Sequence, residues 1–232
     1  MPQDIVDAVR AGSKAVVVAD CDLRGDITLG AGTILQPGCT LLAVAGPIVF
    51  GENNIVEDNV VIVNRHRAPM VIGDNNLFEV GCRIESLSIG NDNSFGIRSR
   101  VVPAIRIGNH CAVGAGCLVQ PDPFKFVAGP VPETAPSAER QDSAEEINPG
   151  ESTLNAATAA EAAAGKEGAS AAPKPAALSP VETLPDFTHI FGSENRRRIA
   201  SQEGLGQARA LYAKHWEYLR DTLPRFHQLR MF

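Results

Sequence analysis

The chain has 232 residues, a formal net charge of −6 and an aromatic share of 5%. The acidic balance argues against nucleic acid as a partner. No apolar run reaches the roughly eighteen residues a membrane span needs, and no apolar N-terminal leader is visible, so a cytosolic or nuclear location is expected. So few rings suit a narrow interior built from Val, Ile and Leu.

A phrase recurs along the first half: LGAGTIL from Leu29, FGENNIV from Phe50, IGDNNLF from Ile72, IGNDNSF from Ile89 and IGNHCAV from Ile107. A six-residue period of this kind gives a parallel β-helix, each repeat supplying one short strand and one corner. The large apolar position falls on Val17, Leu23, Leu29, Leu35 and Leu41, then on Phe50, Val56 and Ile62, and then on Ile72, Phe78 and Ile84. It closes with Ile89, Phe95, Val101, Ile107, Val113 and Val119. Strand side chains alternate faces, so the residue two places earlier also points inward. That slot is small: Cys21, Thr33, Cys39, Cys82, Cys111 and Cys117. Gly, Asn and Asp fall at the corners, where positive φ is needed.

Three breaks interrupt the count. Extra residues fall around Ala43 to Pro47 and across Asn64 to Pro69, and one residue is missing between Ile84 and Ile89. Solenoid loops carry binding more often than the coils do, so Arg65, His66 and Arg67 form the first candidate partner surface. All five cysteines occupy the small inward slot, which makes them buried apolar residues rather than disulfide or zinc ligands.

After Asp122 the composition changes. Residues 127–182 read as a disordered low-complexity insertion, rich in Ala, Pro, Ser, Glu and Gly, with too little apolar surface to offset the entropy of ordering. Ser179 before Pro180 fits a proline-directed phosphorylation site. Order returns in residues 183–192, read as the closing coil, so the insertion interrupts the last turn of the β-helix of residues 1–126. Residues 193–232 read as an amphipathic helix and tail. Ser193 and Glu194 stand as N-cap and acidic first turn, and Arg196, Arg197 and Arg198 make the helix start basic. The apolar stripe runs through Leu205, Ala208, Leu211/Tyr212, Trp216, Leu219 and Leu223, with Pro224 ending or bending it. This stripe is expected to dock on the outside of the β-helix, with Phe226 contacting another subunit.

The chemistry of such folds needs histidines. The coils offer only His66 and His110 as metal ligands or as a general base for acyl transfer. No Ser/His/Asp set, phosphate loop or carboxylate pair appears.

The stretch Leu23 to Gly30 looks like the pattern of the γ-carbonic-anhydrase branch of hexapeptide-repeat proteins, where Arg24 and Asp26 would organise a subunit interface. Val71 to Cys82 carries no histidine where that branch has two, so no zinc site is expected. The stretches Ala45 to Glu57 and Met70 to Cys82, the closing turn and Leu223 to Leu229 resemble the dynactin subunit 6 family within this branch. The loop at Asn64 to Pro69 is short and the insertion long for that family. The resemblance implies a left-handed parallel β-helix without catalytic, cofactor-binding or metal-binding residues. It also implies a heterodimer with dynactin subunit 5, assembled with subunit 4 and an actin-related protein at the pointed end. The indirect partners would be dynein and endosomal cargo, with no membrane insertion and a cytoplasmic, cytoskeletal location. The alternative is a trimeric hexapeptide-repeat enzyme, a zinc-dependent anhydrase or an acyltransferase.

Overall fold

The computed structural model describes residues 7–122 and 181–232. The chain winds into six complete coils and a partial seventh, each full coil contributing one strand to each of three sheets. Coil 1 holds β1 (Ala8–Ala11), β2 (Val16–Val17) and β3 (Asp22–Arg24). Coil 2 holds β4 (Asp26–Leu29), β5 (Ile34–Leu35) and β6 (Thr40–Ala43). Coil 3 holds β7 (Ile48–Phe50), β8 (Ile55–Val56) and β9 (Val61–Asn64). Coil 4 holds β10 (Met70–Ile72), β11 (Leu77–Phe78) and β12 (Arg83–Ile84). Coil 5 holds β13 (Ser88–Ile89), β14 (Ser94–Phe95) and β15 (Arg100–Val101). Coil 6 holds β16 (Ile105–Ile107), β17 (Ala112–Val113) and β18 (Leu118–Val119). β19 (Glu182–Leu184) and β20 (Thr188–Phe191) begin the seventh, followed by β21 (Arg196–Ile199) and the helix α1 (Leu205–Phe226).

The first sheet stacks β1-β4-β7-β10-β13-β16-β19, the second β2-β5-β8-β11-β14-β17-β20-β21 and the third β3-β6-β9-β12-β15-β18. Every coil pairing is parallel. Every large apolar position in the six-residue register is buried, as are all five cysteines. Stacking places like on like: the rings of Phe78 and Phe95 lie 4.9 Å apart and 1° from parallel, with Phe50 edge-on to Phe78 at 6.4 Å. Burial pushes the Cys82 thiol well above its usual range.

Polar groups share the interior at one corner. Asn54, Asn76 and Asn93, two places before Val56, Phe78 and Phe95, are buried and form an amide ladder. Asn76 donates its backbone and side-chain N–H groups to Asn54 Oδ1, both at 3.0 Å. Asn93 repeats this on Asn76 Oδ1 at 3.0 and 2.9 Å, and Cys111 N–H donates to Asn93 Oδ1 at 2.7 Å. Each carbonyl thus holds the next coil in register and satisfies corner donors away from water.

The two irregular corners stack on each other. Asn64, buried, donates its amide to Pro47 O at 2.9 Å and to Ala68 O at 3.0 Å. A Cβ on Gly46 would sit 2.5 Å from His66 O, so only glycine allows this approach.

The chain after Gly192 differs from the sequence reading. Arg196, Arg197 and Arg198 do not start a helix; they lie in β21, antiparallel to β20. Gly192 (φ 75°) and Asn195 (φ 52°) turn the chain back, and Asn195 Oδ1 accepts Leu118 N–H at 2.6 Å. Helix-favouring residues yield here to the unpaired edge of the second sheet. Ser193 is therefore not an N-cap, and α1 begins after Gly204 (φ 84°) without a side-chain cap. Its packed stripe is shorter than expected: Leu219 and Leu223 are buried, Tyr212 and Trp216 are partly buried, and Ala208 and Leu211 are exposed. Pro224 stands inside the last turn and the helix continues to Phe226, where His227 N–H donates to Leu223 O at 2.9 Å. The tail then pairs with coil 1: Ala19 N–H donates to Gln228 O and Arg230 N–H to Val17 O, both at 2.8 Å. Antiparallel backbone thus closes both ends of the second sheet's seven parallel strands.

Candidate functional site

The corner loop after β9 is less free than its sequence suggests. Arg65 Nε lies 2.9 Å from Glu85 Oε2, and Arg83 reaches Glu85 Oε1 at 2.6 Å. Burial pushes Glu85 up, but the hydrogen bonds from Arg83 and Arg65 together hold its carboxyl below the usual range. His66 N–H donates to Asn64 Oδ1 at 2.9 Å, while its Nε2 is enclosed without a hydrogen-bond partner. Arg67 is exposed.

The three arginines of β21 divide by strand alternation. Arg197 turns inward across the open end of the coil, bonding Glu182 Oε1 at 2.7 Å and Gln120 O. Arg196 and Arg198 face outward. Arg196 pairs with Glu194 at 2.6 Å, and Arg198 lies 5.1 Å over the Phe191 ring. Phe226 is 76% exposed. The two basic clusters lie on different faces, Arg65 to Arg67 between coils 3 and 4 and Arg196 to Arg198 past coil 7, so they form no joint patch. Ser179 lies outside the described residues, as does most of the 127–182 segment.

The α1 stripe docks on the outside of the β-helix as the sequence led us to expect, but the cavity under its first half was not expected. The second half of α1 lies on the apolar outer row of the second sheet, Val16, Ile34 and Ile55, all buried. Trp216 Nε1–H donates to Gly32 O at 2.7 Å, and Tyr212 hydroxyl donates to Asn53 O and, at 3.3 Å, to Asn76 O. Burial pushes the Tyr212 hydroxyl above its usual range. Beyond coil 4 the outer row falls to Ser94 and Ala112, and the first half of α1 bridges a cavity of about 630 Å³. Leu77, Leu205, Leu211, Asp92, His110 and Arg209 are among its walls. His110 Nδ1 stands 3.8 Å from Asp92 Oδ2, which Arg209 reaches at 3.4 Å. The His110 ring stacks on Phe187 at 4.9 Å. Gly32, Asn53, Asn75, Asp92, His110 and Phe187 form one column of corner residues, all with positive φ. His110 therefore fills a structural corner slot and faces a cavity as well.

His66 and His110 belong to different corners of the chain, and among the described residues no three His, Cys, Asp or Glu side chains converge within it.

No family model matches the chain. Among curated proteins it is 36% identical over 124 residues to dynactin subunit 6 of Danio rerio, covering 48% of this chain and 64% of that one. It is 42% identical over 112 residues to dynactin subunit 6 of Dictyostelium discoideum, covering 47% and 59%. A hexapeptide transferase family protein from Anaplasma phagocytophilum superposes with a TM-score of 0.58 at 15% identity, covering 93% of each chain. The chain is a hexapeptide-repeat β-solenoid similar to dynactin subunit 6. It spans less than two thirds of the length of these curated relatives. The transferase likeness speaks for the shared hexapeptide-repeat fold alone. The chain is also 25% identical over 114 residues to gamma carbonic anhydrase 2, mitochondrial, of Arabidopsis thaliana, covering 46% of this chain and 41% of that one.

The cavity escaped the sequence reading because it depends on where α1 crosses the sheet. The one local signal was the run Leu77, Ser94, Ala112 at equivalent register positions, an apolar row that stops.

Proposed function

We propose that this chain is a non-catalytic structural subunit of dynactin, supporting dynein-driven transport of endosomal cargo along microtubules in the cytoplasm. In this reading it pairs with subunit 5 and joins subunit 4 and an actin-related protein at the pointed end. The observation that carries the proposal is the similarity to dynactin subunit 6 proteins, 34–42% identical over roughly half the chain. The solenoid supports it physically. Its first sheet presents an outward row whose middle, Thr28, Val49, Val71 and Ser88, is uncharged and is flanked by Arg10 and Arg106, an apolar centre with a charged rim. Among the described residues no helix is long and apolar enough to cross a membrane. Arg65, Arg67, Arg196, Arg198 and Phe226 are the exposed members of the proposed contact set, while His66 and Arg197 are partly buried beside them.

The test is affinity purification of the tagged full chain from its own cells, with the co-purifying proteins identified by mass spectrometry. Dynactin subunits in stoichiometric amounts would support the reading. Recovery of the chain without any of them would overturn it.

A second reading, a trimeric acyltransferase or anhydrase of this fold, draws on the cavity beside the Asp92–His110 pair. In it His110 would act as general base, oriented by Asp92. The non-catalytic reading has the stronger support, since the transferase likeness stands at 15% identity.

A further inference from the structure

Among the described residues, the last strand of the second sheet has an unpaired edge with a defined chemistry. In the β20–β21 ladder Ala200 N–H donates to Phe187 O at 2.8 Å, while Arg198 stands opposite His189 and Arg196 opposite Phe191. Bonded pairs alternate every second residue in an antiparallel ladder. The backbone groups of Arg196 and Arg198 therefore turn toward β20, and those of Arg197 and Ile199 turn away. Among the described residues nothing bonds the backbone of Arg197 or Ile199 on that outer side.

The side chains at this edge sort by face. Arg196 and Arg198 lie on the outer face of the sheet. Arg196 has one carboxylate partner, the exposed Glu194, and no carboxylate pairs with Arg198 among the described residues. Ile199 lies on the inner face, beyond the end of the core, and is 63% exposed. It continues the inward line of Thr188 and Ile190, both buried, and among the described residues no strand is stacked on it.

We infer that the β21 edge is a docking site for an extended segment of another protein in which acidic and apolar residues alternate. The segment adds as a further strand. Its backbone bonds the outward amides and carbonyls of Arg197 and Ile199. Its acidic residues face Arg196 and Arg198, and its apolar residues stack on Ile199 and extend the core by one layer. A second copy of this chain does not fit, because pairing two β21 edges sets arginines against arginines. The inference goes beyond membership of dynactin and stands whether or not that assignment holds.

The full chain is titrated into a fluorescent peptide of alternating Glu and Val. Comparison peptides replace Glu by Lys, or carry a central Pro. Two variants are titrated in parallel: Ile199→Pro, which removes one outward N–H without touching a β20–β21 bond, and Arg196→Glu/Arg198→Glu. Melting temperatures show that both are folded. The acidic peptide is expected to bind, each variant to weaken it about tenfold or more through lost hydrogen bonds or lost ion pairing, and both comparison peptides to bind far less. Failure of the acidic peptide to bind would overturn the inference. Equal binding by the Ile199→Pro variant would also overturn it, showing charge attraction without strand addition. A self-dimer seen by light scattering and abolished by Ile199→Pro would overturn it in favour of a second copy.

Discussion

The indole of Trp216 donates to the carbonyl of Gly32 at 2.7 Å, and a Cβ on Gly32 would lie 2.9 Å from the same ring. One corner glycine thus serves both the coil and the helix. It takes the positive φ of the turn (68°) and leaves room for the ring that docks α1. Trp216→Ala should destabilise the protein by about 3 kcal/mol, toward the low end for a large aromatic because the ring is only partly buried. Gly32→Ala should also destabilise, through the backbone conformation and the crowding at Asn53 Oδ1. Urea denaturation of both variants checks this; a Trp216→Ala variant as stable as wild type would show that α1 is not held by this contact.

The amide ladder makes a second prediction. Removing the Asn76 side chain in Asn76→Ala takes the acceptor from the buried Asn93 N–H and leaves Asn54 Oδ1 with one donor fewer. A loss of about 2–4 kcal/mol is expected, since stranded buried donors carry their full desolvation cost. Asn76→Leu should not rescue it, because the missing element is an acceptor rather than volume. Stability equal to wild type in either variant would contradict the ladder's role.

Glu57 supplies a pH dependence with a definite sign. Burial raises its carboxyl above the usual range, against the pull of His215, whose Nε2 lies 3.7 Å from Glu57 Oε1. Between the ordinary carboxylate range and that raised value the folded state binds more protons than the unfolded state. Stability contributed at this site therefore falls as pH rises through the window. Glu57→Gln keeps an acceptor for Val80 N–H and removes the titration. Wild type should lose stability relative to Glu57→Gln as pH rises from the ordinary carboxylate range through the raised value, measured by denaturation at each pH. A flat or rising difference would contradict the assignment.

The segment between coils 6 and 7 leaves and returns at neighbouring points: Asp122 N–H donates to Glu182 Oε2 at 2.8 Å. Replacing residues 127–178 by a short Gly/Ser linker should therefore keep the solenoid, because closing the gap requires little reach. Circular dichroism and the melting temperature should match the full chain within a few degrees. Loss of soluble protein would show that the segment is part of the fold.

The solenoid was legible because each inward position repeats a physical demand on the sequence. A large apolar residue every six residues has no other arrangement that buries them all, and Val17 through Val119 sit where that period places them. The small second slot was legible at Cys21 and Cys39 for the same reason. Asn54, Asn76 and Asn93 were harder, since asparagine beside glycine looks like turn chemistry until the coils stack and expose the ladder. The arginine strand was hidden because its cause is nonlocal: β21 forms on the vacant edge of β20, and Arg197 finds Glu182 only after the chain has closed. The cavity under α1 depends on a helix crossing that no local pattern encodes.

The proposed function makes this solenoid a structural partner rather than a catalyst. The most direct measurement is the solution mass of the purified chain by light scattering, alone and mixed with dynactin subunit 5, with bound metal assayed on the same samples. The proposed function predicts a metal-free one-to-one complex with subunit 5. A stable homotrimer carrying stoichiometric zinc and indifferent to subunit 5 would contradict it.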